Sequence, residues 1–459
     1  MRVNPDQELG DSVGRFTKPA NRILFLACTL VTGSAAGAFV WAFFCLMDAG
    51  LGFVWETLPR IAGRFADAFV PGLAEGPFGF IPFPLAVCLL GGLIIGLYEK
   101  KIGFAPEELT EVMATVKKNG RYPYDHLGKR SVAALLPLLF GASVGPEAGL
   151  TGVIAGLCSW VGDRMRRFGS EFRELTLMGT QAALTALFTA PLYGFVAPLS
   201  GSADGRGEHD GEISLPRTQK TIVYCVAIVG ALGSFILLGS IFGGAAGLPR
   251  FDASAIGTRE LAFFIPLVLL GTLCGWAFHA SNTATRHLGK RMENYPVLRA
   301  LIAGLALGLT AMVFPYVLFA GEHQSTLLQN SYWTIPALSL LATAFLKAVL
   351  TPLCINFGWR GGHFFPLIFC GISLGFSLAL ITGADPAFCV AASTAALMGS
   401  VMRQPLMASL LLIMCFPLKG AIVMLVAALI GYALPLPNSI AYTKNTKTTK
   451  IPSHKTNQE

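Results

Sequence analysis

Charge is what this chain has least of. Only 13% of its 459 residues are Asp, Glu, Lys or Arg, about half the share a soluble domain uses to hydrate its surface. The shortage is also uneven. No charged residue occurs from Ile23 to Met47, Phe78 to Tyr98, Thr221 to Pro249, Leu261 to Thr285, Ala300 to Gly321 or Gly420 to Thr443. Each run reaches the roughly 20 residues that a helix needs to cross a hydrocarbon core. Together with a mean hydropathy of +0.60, this excludes an ordinary soluble domain and predicts an integral, multi-pass membrane protein with the lipid bilayer as its main partner.

Other absences narrow the chemistry. The ten cysteines include no CxxC pair and no Cys–His set at zinc spacing; they read as small packing residues, and no metal or cofactor is expected. The seven histidines (His126, His209, His279, His287, His323, His363 and His454) have no partner at i+3 or i+4, which weighs against a membrane enzyme built on clustered His and acid. The first twenty residues are polar and mixed in charge, so no cleavable signal peptide is read, and the tail from Lys444 leaves no room for a soluble regulatory domain. The net charge of +8 is not a nucleic-acid signal. Its basic residues gather between apolar runs, at Lys117, Lys118, Arg121, Lys129 and Arg130, at Arg164, Arg166 and Arg167, and at Arg286, Lys290 and Arg291, as in cytoplasmic loops obeying the positive-inside rule.

A plain bundle of spanning helices does not account for everything present. The charge-free runs Ser131 to Pro146, Ala148 to Gly162, Ala348 to Trp359 and Gln404 to Leu418 are too short to cross. Helices that stop at membrane depth leave backbone amides unpaired, which is tolerated only against protein or a polar cavity, and transporters build ion sites from them. The chain also repeats. Ala182 to Leu192 (AALTALFTAPL) resembles Ala396 to Leu406 (ALMGSVMRQPL), and Gly145-Pro146 and Gly362 to Pro366 precede them at similar spacing. The expected organisation is a polar segment 1–21, a first half 22–201, a polar loop 202–218, a second half 219–443 and a basic tail 444–459. The string HLGKR at His126 and again at His287 has a different offset and reads as coincidence.

A small anion is best held by weak, fixed donors. The free amides and positive dipole end of a helix N-terminus supply them. Glycine lets the backbone approach, and proline in the first turn gives up an amide that was unpaired anyway. Three such starts occur: Gly103-Phe-Ala-Pro106-Glu107, Gly141-Ala-Ser-Val-Gly145-Pro146-Glu147 and Gly358-Trp-Arg-Gly-Gly-His-Phe-Phe-Pro366.

In this order the three segments resemble the signature motifs of the CLC family of chloride channels and chloride–proton antiporters, of types GSGIPE, GK/REGP and GGxFxP. GGHFFP fits the third fully, Lys347 stands where the family often has a basic residue, and Ala190-Pro191-Leu192-Tyr193-Gly194 resembles the segment after the second motif. The chain is most similar to a bacterial branch of ion-transport proteins carrying GxSxGPE as second motif. The resemblance implies an all-α polytopic fold of two inverted halves with broken, half-length tilted helices. It implies a homodimer in the bacterial inner membrane, with a pore in each subunit. Chloride or a similar anion would be held by the backbone amides of Gly103, Ser143, Val144, Gly145, His363 and Phe364.

The departures from the family pattern bear on mechanism. The gating glutamate before Gly-Pro is Val144, and the inner proton glutamate falls at Gly201, with Ser200 beside it. The first motif has Gly103 near its serine position, and the inner-mouth tyrosine has its counterpart in Tyr442. A proton is not relayed without a titratable group, so the expected function is passive anion movement. The alternative is an antiporter using Glu147 as a displaced gate; a membrane enzyme or a non-transporting scaffold are remoter readings. Against a gating role, Glu147 reads as an acid in a helix's first turn paired with Arg360 or Arg403. His363 is either a pH-sensitive pore residue or a packed one. Lys347 either attracts anions or pairs with a buried acid or carbonyl. Glu107, Glu108 and Glu111 read as structural.

Overall fold

Small residues decide how closely the helices of this protein approach. The computed structural model describes residues 19–61, 83–103, 106–107, 109–119, 121–164, 172–200, 217–244, 249–251, 256–413, 415–416 and 420–436. The first half contributes α1 (Pro19–Gly52), α2 (Phe83–Ile102), α3 (Leu109–Asn119), α4 (Leu127–Leu139), α5 (Glu147–Arg164), α6 (Phe172–Phe188) and α7 (Pro191–Ser200). The second contributes α8 (Arg217–Phe242), α9 (Thr258–Arg291), α10 (Pro296–Ala311), α11 (Glu322–Ser331), α12 (Ala337–Asn356), α13 (Phe364–Thr382), α14 (Pro386–Met402), α15 (Pro405–Leu412) and α16 (Ala421–Ala433). Six helical segments are long and apolar enough to cross a membrane, and five more are apolar but shorter. On α9, Leu261, Ile265, Leu269 and Leu273 form an exposed stripe at helical spacing. Such a stripe belongs against lipid.

The halves interlock. α1 packs on α8 and α2 on α10. Gly33 and Gly37 of α1 lie against the backbone of Ala227 and Ala231, while Gly230 of α8 meets Leu30 and Ser34, the small-residue contact that drives helix association where no hydrophobic effect operates. The Ser234 hydroxyl donates to the Ser34 carbonyl at 2.8 Å across the same crossing. A Cβ at Gly37 would collide with the Ala231 carbonyl and the Ser234 Oγ. Gly37→Leu is therefore expected to destabilise the fold by about 3 kcal/mol, the upper range for overpacking, read as a lowered Tm in detergent; an unchanged Tm would mean that this crossing opens freely.

α2 and α10 run antiparallel. Gly96 approaches Val297, Gly92 approaches Ala300, Gly304 approaches Cys88 and Gly308 approaches Leu85. At one end Arg299 pairs with Glu99 at 2.5 Å, on the face that also carries Lys100, Lys101, Lys290 and Arg291 in the last turns of α2 and α9. At the other end, Trp55 just past α1 packs against Phe83 at 5.8 Å and Phe319 at 4.9 Å between ring centroids. The chain after α10 thus lies on the face opposite the basic loops.

The two sequence repeats fold alike. α6 ends at Phe188, Thr189 takes φ +49, and Pro191 opens α7; α14 ends at Met402, Arg403 takes φ +55, and Pro405 opens α15. A left-handed non-glycine residue two positions before a helix-opening proline is uncommon, so its recurrence marks the two halves as copies of one design. The HLGKR strings differ by contrast: His126 is the left-handed residue before α4, and His287 lies inside α9. At the centre sits α13, on which every residue from Phe364 to Ala379 is buried.

Candidate functional site: a carboxylate between two helix starts

Three irregular segments meet at the start of α13. The stretch between α4 and α5 runs from Phe140 to Pro146, that between α12 and α13 from Phe357 to His363, and that between α10 and α11 from Met312 to Gly321. Non-helical backbone at membrane depth must find partners within the protein, and it does. The Gly145 N–H donates to the Gly362 carbonyl at 2.8 Å, and the Gly362 N–H returns to Gly145 at 2.7 Å. This two-bond antiparallel bridge joins the second and third motifs. The Phe319 N–H donates to the Gly141 carbonyl at 3.1 Å, which ties in the third segment.

The bridge sets α5 and α13 with their N-termini close together, and Glu147 occupies the gap. It is fully buried. Its Oε1 accepts the Phe364 N–H at 2.6 Å, with the amides of Phe365 and of Glu147 itself facing the same carboxyl group. Its Oε2 has no hydrogen-bond partner among the described residues. A Cβ on Gly145 or Gly362 would run into this carboxyl group, so the absence of side chains there is what lets it sit between the helices. Helix N-termini favour negative charge, so this carboxyl group sits where the backbone amides would also suit a small anion.

Neither arginine expected to pair with Glu147 does so. Arg403 donates to the carbonyls of Tyr432 at 2.6 Å and Leu434 at 3.2 Å, and among the described residues no ion pair involves Arg360 or Glu147. Glu147 is held by peptide amides, not by a cation. Val144 is buried with its side chain against Gly361, and the Ser143 hydroxyl shares a 3.0 Å hydrogen bond with that of Thr351.

Several expected amide donors are committed elsewhere. Gly145 gives its N–H to the bridge and Phe364 gives its own to Glu147. Gly103 does not join the site: it is exposed at the end of α2 with φ +73, and its N–H caps the helix on the Glu99 carbonyl at 3.0 Å. The His363 ring is stacked on Phe364 at 4.7 Å and lies 5.5 Å from the Phe278 ring, which places it in packing. Ser200 is the last residue of α7, while Gly201 and Tyr442 lie outside the described residues.

Lys347 is resolved by geometry. It is fully buried on α12, and its ammonium donates to the carbonyls of Tyr316, Val317, Leu318 and Phe319 at 3.3, 3.0, 2.9 and 2.7 Å. It also lies 4.9 Å from the centre of the Phe369 ring, within cation–π range. Sequence reasoning passed over two residues here. Glu322, at the start of α11, is only 7% exposed, and Thr351 backs Ser143. Glu322 had a faint signal, as the acid that ends a charge-free run directly after a glycine; Thr351 had none.

With this geometry in view, comparison with known proteins is specific. Residues 89–435 match the model of the voltage gated chloride channel family, and the chain belongs to that family. It is 25% identical over 457 residues to chloride channel protein CLC-e of Arabidopsis thaliana, covering 90% of this chain and 60% of the plant protein's length. It is 25% identical over 336 residues to the voltage-gated ClC-type chloride channel ClcB of Salmonella typhimurium, covering 72% and 75% of the two chains. Its fold is that of a slow cyanobacterial Cl−/H+ antiporter (TM-score 0.69, 19% identity, 90% and 96% covered) and of a CLC-type fluoride/proton antiporter (TM-score 0.64, 21% identity, 89% and 95% covered). The protein is thus a multi-pass membrane member of a family that transports anions.

Proposed function

We propose that this protein exchanges chloride or a similar small anion for protons, with Glu147 as the gating carboxylate. The observation that carries this reading is the 2.6 Å hydrogen bond from the Phe364 amide to Glu147 Oε1. The carboxylate occupies the place between two helix starts that a permeating anion would take, so anion and carboxylate compete for the same donors. A carboxylate driven out by an anion takes up a proton readily once it leaves those amides, and that links the two ions.

A second reading has its own support. Val144 stands at the position where a gating glutamate is expected, and its buried side chain cannot titrate, which favours passive, uncoupled anion flow. The two readings part in one assay. Purified protein in chloride-loaded liposomes is diluted into low chloride with and without a protonophore while external pH is recorded. Coupled exchange predicts proton uptake driven by the chloride gradient; chloride efflux with no accompanying proton movement would leave only the uncoupled reading. We further expect a homodimer resident in a bacterial inner membrane, with the basic loops on the cytoplasmic side.

A further inference from the structure

The family reading leaves one buried acid without a task. Glu322 opens α11 directly after Gly321, whose φ of +107 and close packing on α13 fix the turn; a Cβ there would come within 2.6 Å of the Phe369 Cβ. Glu147 holds the amides of Phe364 and Phe365 on the same helix. The two acids therefore address neighbouring turns of α13, about 6–8 Å apart along its axis at 1.5 Å per residue. They lie close enough to interact electrostatically, and Glu322 also senses Asp48 of α1.

Burial falls stepwise along this set. Glu147 is fully buried, Glu322 is 7% exposed, and Asp48 and His323 are exposed and interact with each other. The charged groups that face Glu322 are thus Glu147 from α5, Asp48 from α1 and His323 beside it. Lys347 of α12 is committed to the carbonyls of Tyr316 to Phe319 and does not neutralise them. Glu322 Oε1 and Glu147 Oε2 are both buried with no hydrogen-bond partner among the described residues. Two neighbouring carboxylates buried without a countercharge keep a proton between them, because both cannot stay ionised cheaply.

We propose that Glu322 is a second proton-carrying carboxylate of the pathway, exchanging a proton with Glu147 on one side and with the Asp48–His323 edge on the other. This rests on the coupled reading above. When an anion displaces Glu147, its side chain swings free and the Glu322 carboxyl O–H passes its proton to the Glu147 carboxylate through one bridging water, which gives up one proton as it gains another. Glu322 becomes the carboxylate and is reprotonated from Asp48, His323 or water on the face opposite the basic loops. Protons then reach the gate from that face.

The test uses full-length protein in chloride-loaded liposomes and reads protons moved per chloride. Glu322→Gln is expected to lower that ratio about tenfold, a modest effect for a positioned proton-transfer group, and Glu322→Asp to restore part of it. Glu322→Gln coupling as well as the wild type overturns the proposal and leaves the coupled reading intact. A wild type that moves chloride without protons overturns the coupled reading itself, and the role of Glu322 with it. Glu322→Asp decides the matter even if Glu322→Gln fails to fold: drawing the carboxyl back by one methylene is expected to lower the proton-to-chloride ratio, and a ratio equal to the wild type's would overturn the proposal.

Discussion

Glu147→Gln is expected to raise chloride efflux and remove its dependence on pH, while proton uptake falls to background. On the proposed gating role, acidification of the wild type protonates the carboxylate, weakens its hold on the amides of Phe364 and Phe365 and admits the anion, so efflux is expected to rise as pH falls. Glutamine is neutral at every pH and competes poorly for donors at two positive helix ends. The change in efflux at neutral pH is expected to be on the order of tenfold, equivalent to about 1.4 kcal/mol of barrier. Glu147→Ala should act in the same direction. Efflux from either variant that still rises with acid, measured alongside wild-type proteoliposomes, would remove Glu147 from the gating role and return it to the structural one.

Lys347→Met is expected to abolish folded protein. The ammonium shares its three N–H groups among four consecutive carbonyls, Tyr316 to Phe319, in a segment that includes the left-handed Phe319 at φ +61. Methionine matches the stem but donates nothing. Each buried carbonyl left unpaired costs about 1–3 kcal/mol, so the total approaches the whole stability of a typical domain. Gel-filtration profiles and thermal melting in detergent would show it as lost monodisperse protein. Lys347→Arg keeps the charge but brings a planar fork to a site built for a point donor, and should survive with a lowered Tm. If Lys347→Met remained folded and only its anion flux fell, the lysine would be an electrostatic lure and not a structural pin.

The sequence made the membrane helices, the Gly/Pro-led helix starts and the repeat legible because each is written locally. Charge-free runs, a proline in a first turn and a glycine before it need no distant partner to be interpreted. What was not legible depends on contacts across the chain. Gly145 looked like a free amide donor until the Gly362 carbonyl, 217 positions away, was seen to accept its hydrogen bond. Gly103 looked like a third helix start, yet its amide closes the helix before it. Glu147 was visible as an acid in a first turn, but nothing nearby in sequence says that its carboxylate crosses to the start of another helix. Arg360 and Arg403 were natural partners by charge alone. Peptide amides won because they were already gathered there, whereas Arg403 answers the carbonyls at the end of α16.

The reciprocal bonds between Gly145 and Gly362 carry a mechanical consequence. They act as a rivet between the two halves of the chain at the level of the gate, so α5 and α13 are poorly placed to slide or tilt apart during a transport cycle. On the proposed gating role the moving part is then small: rotation about the side-chain bonds of Glu147, with the helices as a stationary frame. Side-chain rotation is fast beside helix displacement. The pace of such a machine is set by how long its one latch stays protonated, not by how quickly its walls can shift.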